Sequence, residues 1–339
     1  MDARRRLAWF RRLAAAGAAL AATVVVLGAW VRLTNAGLGC PDWPGCYGHV
    51  YPTTGLPDAG SSIGFAKALH EMIHRYFATS LGIVIGVLAF WALRFRRDRD
   101  QPVIPAVLLL VVVCLQGALG ALTVTLQLRP LIVTAHLLGG LTTLGLLCWL
   151  ALPPAIRLSE RDLSLRGYAT VGLAVLILQI ALGGWTSSNY AAVACPDLPT
   201  CQRAWWPPMD FRDAFVLWRG LDIDYEGGVL ANPARTAIHV THRVGAAAAG
   251  LVLGALGILA IARSYSRRLK QAGGWLLLAV ALQISVGAST VHWGVPLSLA
   301  TLHNAGAAFL VVCMVNLLRA LWPARAPDMV PLRRADPPH

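Results

Sequence analysis

The sequence predicts an all-α, polytopic membrane protein with eight transmembrane helices in two pseudo-symmetric four-helix bundles. Three observations predict it. The chain is 57% apolar and only 13% charged over 339 residues, too apolar a balance for a soluble protein of this length. Its apolar residues gather into eight runs long enough to cross a bilayer. Its second half repeats its first, four runs to each.

The runs fall at Leu13–Leu33, Glu71–Leu93, Val103–Leu126, Leu131–Leu152, Tyr168–Trp185, Ile238–Ala262, Trp275–Trp293 and Leu297–Leu321. The first follows a basic segment, MDARRRLAWFRR, and continues through Val24–Val31, so it reads as an uncleaved span and not as a signal peptide. No long Ser/Arg-rich transit segment precedes it, which points to a bacterial inner membrane. An even number of spans places both termini on one side.

Arginine and lysine orient the chain. Arg4–Arg6 with Arg11 and Arg12, Arg94–Arg99, Arg157–Arg166, Arg263–Lys270 and Arg325–Arg334 all fall on one side. Short basic segments mark the cytoplasmic face, so both termini are expected there. The two long segments, Thr34–His70 and Ser187–Ala237, are expected in the periplasm. The same clusters account for the net charge of +13, and nucleic acid is excluded as a partner.

Four of the seven cysteines form two equally spaced pairs, Cys40 with Cys46 in CPDWPGC and Cys195 with Cys201 in CPDLPTC. An oxidising compartment permits a disulfide in each, and Asp-x-Pro suits a tight turn. A metal clip or a redox-active dithiol is the functional alternative. Cys114, Cys148 and Cys313 lie within apolar runs and are expected to be buried small hydrophobes.

The repeat is explicit. Leu115–His136 aligns without gaps on Leu282–His303: Leu-Gln opens both, Gly-Ala and Thr-Val follow, and Thr stands two residues before the final His. Gly28–Cys46 resembles Gly183–Cys201, and His74-Arg75 matches His242-Arg243. The expected division is 1–165 and 166–339, with the pseudo-symmetry axis along the membrane normal.

A lone histidine near a helix end is ordinarily a hydrogen-bonded structural residue. Here His74, His136, His242 and His303 recur on the second and fourth spans of each half, at the outer ends of the helices. Imidazoles from facing helices of a bundle can meet across its core, and two at one depth can ligate a haem iron from both faces. Arg75 and Arg243 each follow a proposed ligand, and Arg235 precedes one. Guanidinium suits the propionates of a haem, with interfacial snorkelling as the bland alternative. The halves differ at one point: Glu71 stands a helical turn before His74, whereas its counterpart is His239. An acid in a partly apolar site can move protons, which suggests that one half does chemistry.

His70-Glu71-Met72-Ile73-His74 also spells the zinc-protease pattern H-E-x-x-H. That reading makes His70 and His74 ligands and Glu71 the general base. It leaves His136, His242 and His303 without a role.

VRLTNAGLGCPDWPGC, HEMIHRY, the THRVG segment and the histidines of spans four and eight together resemble the haem A synthase family. The resemblance covers nearly the whole chain. It implies an oxidoreductase that converts the C8 methyl of haem O to a formyl group by successive hydroxylations, giving haem A for terminal oxidases. It implies that 1–165 is the substrate half, with His74, His136 and the essential acid Glu71. The half 166–339 would then hold a haem b cofactor on His242 and His303. The cysteine pairs correspond to Cys40/Cys46 and Cys195/Cys201. Candidate partners are the haem O substrate, membrane lipid, a haem O synthase, a quinol or other electron donor, and a second copy in a homo-oligomer. The alternative from another class is a non-catalytic di-haem cytochrome b relay, which gives Glu71 no role; a transporter would leave the histidines idle.

The second outer segment is longer than the first between its cysteines and its His-Arg pair. It carries Trp205, Trp206 and Trp218 with Asp222, Asp224 and Glu226. An aromatic membrane anchor, a partner-docking surface and a cover over a haem are all open for it.

Overall fold

The computed structural model describes residues 2–52, 62–155 and 158–322. Arg157 and the Arg325–Arg334 cluster, which entered the orientation argument, lie outside the described residues, as does part of the first long segment. The elements are α1 (Ala3–Leu33), α2 (Ser62–Arg94), α3 (Val103–Thr125), α4 (Pro130–Ala151), α5 (Glu160–Ser188), the single turn α6 (Phe211–Ala214), α7 (Asn232–Arg263), α8 (Arg267–His292) and α9 (Leu297–Leu321). All but α6 are long and apolar enough to cross a membrane.

Local chemistry starts and stops these helices. Asp2 caps α1 by accepting the Arg5 amide at 2.7 Å. Ser159 and Asp162 form a reciprocal capping box at the start of α5. Proline stands at N1 or N2 of α4 and α7 and immediately before α3 and α9, where its missing N–H costs the helix nothing.

Several helices begin earlier than the apolar runs suggest. Helix α1 starts ten residues before Leu13, and α2 starts nine residues before Glu71. The extra turns of α1 are strongly basic, and those of α2 carry Lys67 and His70 among apolar residues, so the apolar runs stop short of the helix starts. As a result His74 and His242 lie several turns inside their helices, not at the ends. His136 and His303 each lie six residues past the first residue of α4 and α9.

Neighbour packing closes two rings. Helices α1, α2, α3 and α4 pack in succession and α4 returns to α1; α5, α7, α8 and α9 do the same. The rings meet through α1 and α4 against α9, and α4 against α5. Small residues permit close approach: a β-carbon on Gly273 of α8 would stand 2.7 Å from the Gly257 carbonyl of α7. Two contacts across this seam join residues to their own repeat counterparts. Arg32 Nη2 donates to the Ser187 carbonyl at 2.6 Å, and the Tyr190 hydroxyl donates to Asn35 Oδ1 at 2.9 Å.

At the arginine-rich end, carbonyls left over at helix C-termini accept from guanidinium groups. Arg268 and Arg319 donate to Pro153 and Leu152 after α4, and Arg166 donates to Leu321 of α9. Arg6 pairs with Asp98 at 2.9 Å. Cys148 and Cys313 are buried, as expected, but Cys114 is exposed. Among the helices α3 packs only on α2 and α4, which leaves Cys114 on its outward face.

Candidate haem-binding site

Each of the four histidines rests on a glycine of a neighbouring helix. A β-carbon on Gly28 of α1 would stand 3.0 Å from His74 Cε1, and one on Gly183 of α5 would stand 3.2 Å from His242 Cε1. The distances are 3.6 Å for Gly120 of α3 to His136 and 2.9 Å for Gly287 of α8 to His303. Gly28 matches Gly183 in the repeat, and Gly120 matches Gly287. The chain thus builds the same notch four times, and at three of the four a methyl group would crowd the ring.

In the C-terminal half the two rings meet. His242 and His303 have centroids 6.5 Å apart and planes at 85°. His74 lies within electrostatic reach of His136. Nδ1 of His74, His136 and His303 is buried without a hydrogen-bond partner, an arrangement that native interiors rarely leave unanswered. Two metal–imidazole bonds of about 2 Å, with the depth of each ring added, give roughly 6 Å between ring centres. The donor type, spacing, orphaned nitrogens and glycine notches all fit a haem held between paired imidazoles.

Glutamines that the sequence did not single out support the histidine-bearing helices. Gln179 Nε2 donates to the His242 carbonyl at 3.1 Å and lies 3.1 Å from its Nδ1. Gln283 Nε2 donates to the His303 carbonyl at 3.0 Å. Gln116, the counterpart of Gln283, lies against Gly139 as Gln283 lies against Gly306. The repeated Leu-Gln opening of the aligned segments was the available signal for this last pair.

The two disulfides, Cys40–Cys46 and Cys195–Cys201, close matching loops that are tied to the helices carrying His74 and His242. Asp42 accepts the Tyr47 and Gly48 amides, and Asp197 accepts those of Gln202 and Arg203. Desolvation pushes the Asp42 carboxyl up, but amide donation and the Arg75 charge outweigh it and hold the group below the ordinary aspartate range. Asp197 is held low by the Thr200 hydroxyl first, and then, against some desolvation, by the Arg203 and Gln202 amides and the Arg243 charge.

Arginine joins each loop to the neighbouring histidine-bearing helix. Arg75 Nη1 donates to the Asp42 carbonyl at 2.9 Å and to those of Pro44 and Gly45, while Nη2 pairs with Glu71 at 2.6 Å. Arg243 donates to the Thr200 carbonyl at 2.8 Å and to Cys195 at 3.0 Å. Arg75 Nη1 and both terminal nitrogens of Arg243 are therefore spent on loop backbone. Arg243 Nε and Arg235 Nε are buried without partners. Glu71, 4% exposed, also accepts the Cys40 amide at 2.9 Å. Its counterpart His239 is equally buried and directs Nδ1 to the Ala191 carbonyl at 3.0 Å.

The profile of the COX15-CtaA family, described as cytochrome oxidase assembly protein, matches residues 11–315. The chain belongs to that family. It is 43% identical to the heme A synthase of Shewanella oneidensis over 312 residues, 88% of this chain and 92% of that protein. It is 27% identical to the heme A synthase of Geobacillus kaustophilus, over 95% of this chain and 94% of that one. With the heme A synthase of Halalkalibacterium halodurans it shares 26% over 87% and 92%.

In this family member the second long segment reaches across to the first half. Tyr225, 3% exposed, donates its amide to the Gln127 carbonyl at 3.2 Å. Glu226 pairs with Lys67 at 3.2 Å, and Trp218 lies under the Arg129 guanidinium at 3.6 Å from its centroid. The 218–226 part of this segment thus touches the N-terminal half at Lys67, Gln127 and Arg129. Trp205 and Trp206 are exposed at 78% each. The H-E-x-x-H residues do not converge: His70 packs edge-on to Trp30 at 6.2 Å, and Glu71 turns to Arg75 and Cys40. Among the described residues no three His, Cys, Asp or Glu side chains gather as a metal cluster.

Proposed function

We propose that this protein is a haem A synthase, an oxidoreductase that converts the C8 methyl of haem O to a formyl group by successive hydroxylations in haem A biosynthesis. The observation that carries the reading is the paired imidazoles in glycine notches, His242 facing His303 at 6.5 Å, in a chain 43% identical to a heme A synthase. In this reading residues 1–165 form the substrate half, with His74 and His136 holding haem O. Residues 166–339 form the cofactor half, with His242 and His303 holding haem b. The bound haem supplies the redox chemistry; the protein supplies position, a dry site and proton handling.

Glu71 stands one helical turn before His74 and is held from both sides, by Arg75 at Oε1 and by the Cys40 amide at Oε2. A carboxylate fixed in this way keeps one orientation, and in this reading Glu71 would take up protons or order water at the bound substrate. Arg75 and Arg243 tie the disulfide loops over the ligand helices. In this reading Arg235 and Arg243, whose Nε atoms are buried without partners, would hold the carboxylates of haem b. The basic clusters support a reading in which both termini lie on the cytoplasmic side of a bacterial inner membrane, with the disulfide loops in the periplasm. The change from methyl to formyl removes four electrons net, so it needs an oxidant, and a quinol or other electron donor as well where that oxidant is dioxygen; a haem O synthase supplies the substrate.

The test is pigment extraction from cells that co-express the protein with a haem O supply. Haem A formed only with the protein present supports the reading. Haem B alone, with haem O unchanged, would replace it with an electron relay.

A further inference from the structure

Arg129, the residue that opens α4, is a buried cation with unanswered donors. It is 2% exposed. Nη2 donates to the Gly220 carbonyl, Trp218 covers one face, and the Tyr225 ring lies 6.0 Å away. Nε and Nη1 have no partner, and no carboxylate of the described residues pairs with the group. A buried guanidinium with no counter-charge is expensive, and a cation–π contact offsets only part of that.

The helical register says what could answer it. Arg129 precedes His136 by seven residues, about two turns and about 10 Å along the axis, so both lie on one side of α4. Lys67 precedes His74 by the same seven residues on α2. The repeat makes this unequal: Arg235 stands seven before His242, but Pro296 occupies that place before His303. The N-terminal half therefore carries a cation two turns from each histidine, and the C-terminal half carries one. A haem held between the imidazoles brings two carboxylates on one edge, at a comparable remove from its centre.

The geometry points to Arg129 as a carboxylate-binding residue of the N-terminal site: its free Nε and Nη1 donors hold a propionate of the porphyrin substrate. The second long segment belongs to this subsite. Gly220 and Trp218 fix the guanidinium, and Glu226 on Lys67 pins the cover above it, so the C-terminal half helps to bind substrate in the N-terminal half. The inference rests on the reading of residues 1–165 as the haem O site.

The experiment titrates full-length protein, carrying its C-terminal haem, with haem O and with haem O esterified at both propionates. Binding is followed by the change in the Soret band, with no turnover required. Wild type should prefer the free acid by at least about tenfold, as expected for charge-assisted hydrogen bonds. Arg129→Gln should remove most of that preference while leaving diester binding and the C-terminal haem spectrum unchanged. Arg129→Lys, which keeps the charge but loses the planar fork, should fall between, and it is the variant to read if Arg129→Gln does not accumulate. A wild type without preference, or either variant with the wild-type preference, overturns the assignment. The double variant His74→Ala/His136→Ala separates the two levels. If it still binds haem O like wild type, the site reading itself fails. If it loses haem O while Arg129→Gln keeps its preference, only the arginine assignment fails.

Discussion

Gly287 of α8 and His303 of α9 approach so closely that a β-carbon on the glycine would stand 2.9 Å from the imidazole Cε1. The notch sets where the ring can stand, and Gly183 does the same for His242. Gly287→Ala should therefore displace the ring, at an overpacking cost of about 1–3 kcal/mol. Haem retained by the C-terminal half should fall several-fold on purification. Gly254→Ala in α7 is the control, because nothing lies within 4 Å of the added carbon. Equal haem content in the two variants would show that the notch has no part in binding.

Glu71 is placed by two partners at once, the Arg75 guanidinium at 2.6 Å and the Cys40 amide at 2.9 Å. Glu71→Gln keeps an acceptor for the amide but cannot exchange a proton. The variant should bind haem and yet lower haem A output by about a hundredfold, with haem O or a hydroxylated intermediate accumulating. Normal haem A yield in extracted pigment would remove Glu71 from the chemistry.

Arg243 holds two carbonyls of the second disulfide loop. Arg243→Ala loses both bonds, each worth about 1.5–3 kcal/mol for a charged donor. Haem retention in the C-terminal half should drop, and amide exchange across Cys195–Cys201 should quicken. Arg243→Lys should rescue poorly, since a single ammonium lacks the planar fork. Haem content unchanged in Arg243→Ala would count against the clamp.

The disulfide loops should also respond to acid. Asp42 and Asp197 are held below the ordinary aspartate range in the folded protein. A carboxyl depressed on folding stabilises the fold fully above its unfolded pKa, and that contribution is lost as pH falls through the folded value. The loops should stay closed at neutral pH and at pH 5, then loosen below about pH 4. Hydrogen exchange at Tyr47, Gly48, Gln202 and Arg203 reports the opening. Asp42→Asn should open the first loop without an acid dependence, and protection in that variant matching wild type at neutral pH would show that the charge is not what holds the turn.

Much of this molecule was legible along the chain because its evidence is periodic. Eight apolar runs, a fixed offset between repeated segments and four histidines at matching positions are properties of spacing, and helical geometry turns spacing into a shared face. The CPDxPxC loops and their disulfides were legible for the same reason, since each closes over six residues. Helix starts were less so, because α1 begins in a strongly basic segment and Lys67 and His70 interrupt the apolar start of α2.

What only the tertiary structure decided lies in contacts between residues far apart in sequence. Nothing in the order of residues pairs Lys67 with Glu226, 159 positions on, or sends Arg129 to Gly220, 91 positions on. Nor could spacing tell that Arg75 and Arg243 would spend their donors on loop carbonyls, or that Cys114 would face outward from α3. Local sequence determines which face a helix presents. Which group meets that face is settled when the helices pack, where each buried donor must find whatever acceptor the fold brings within reach.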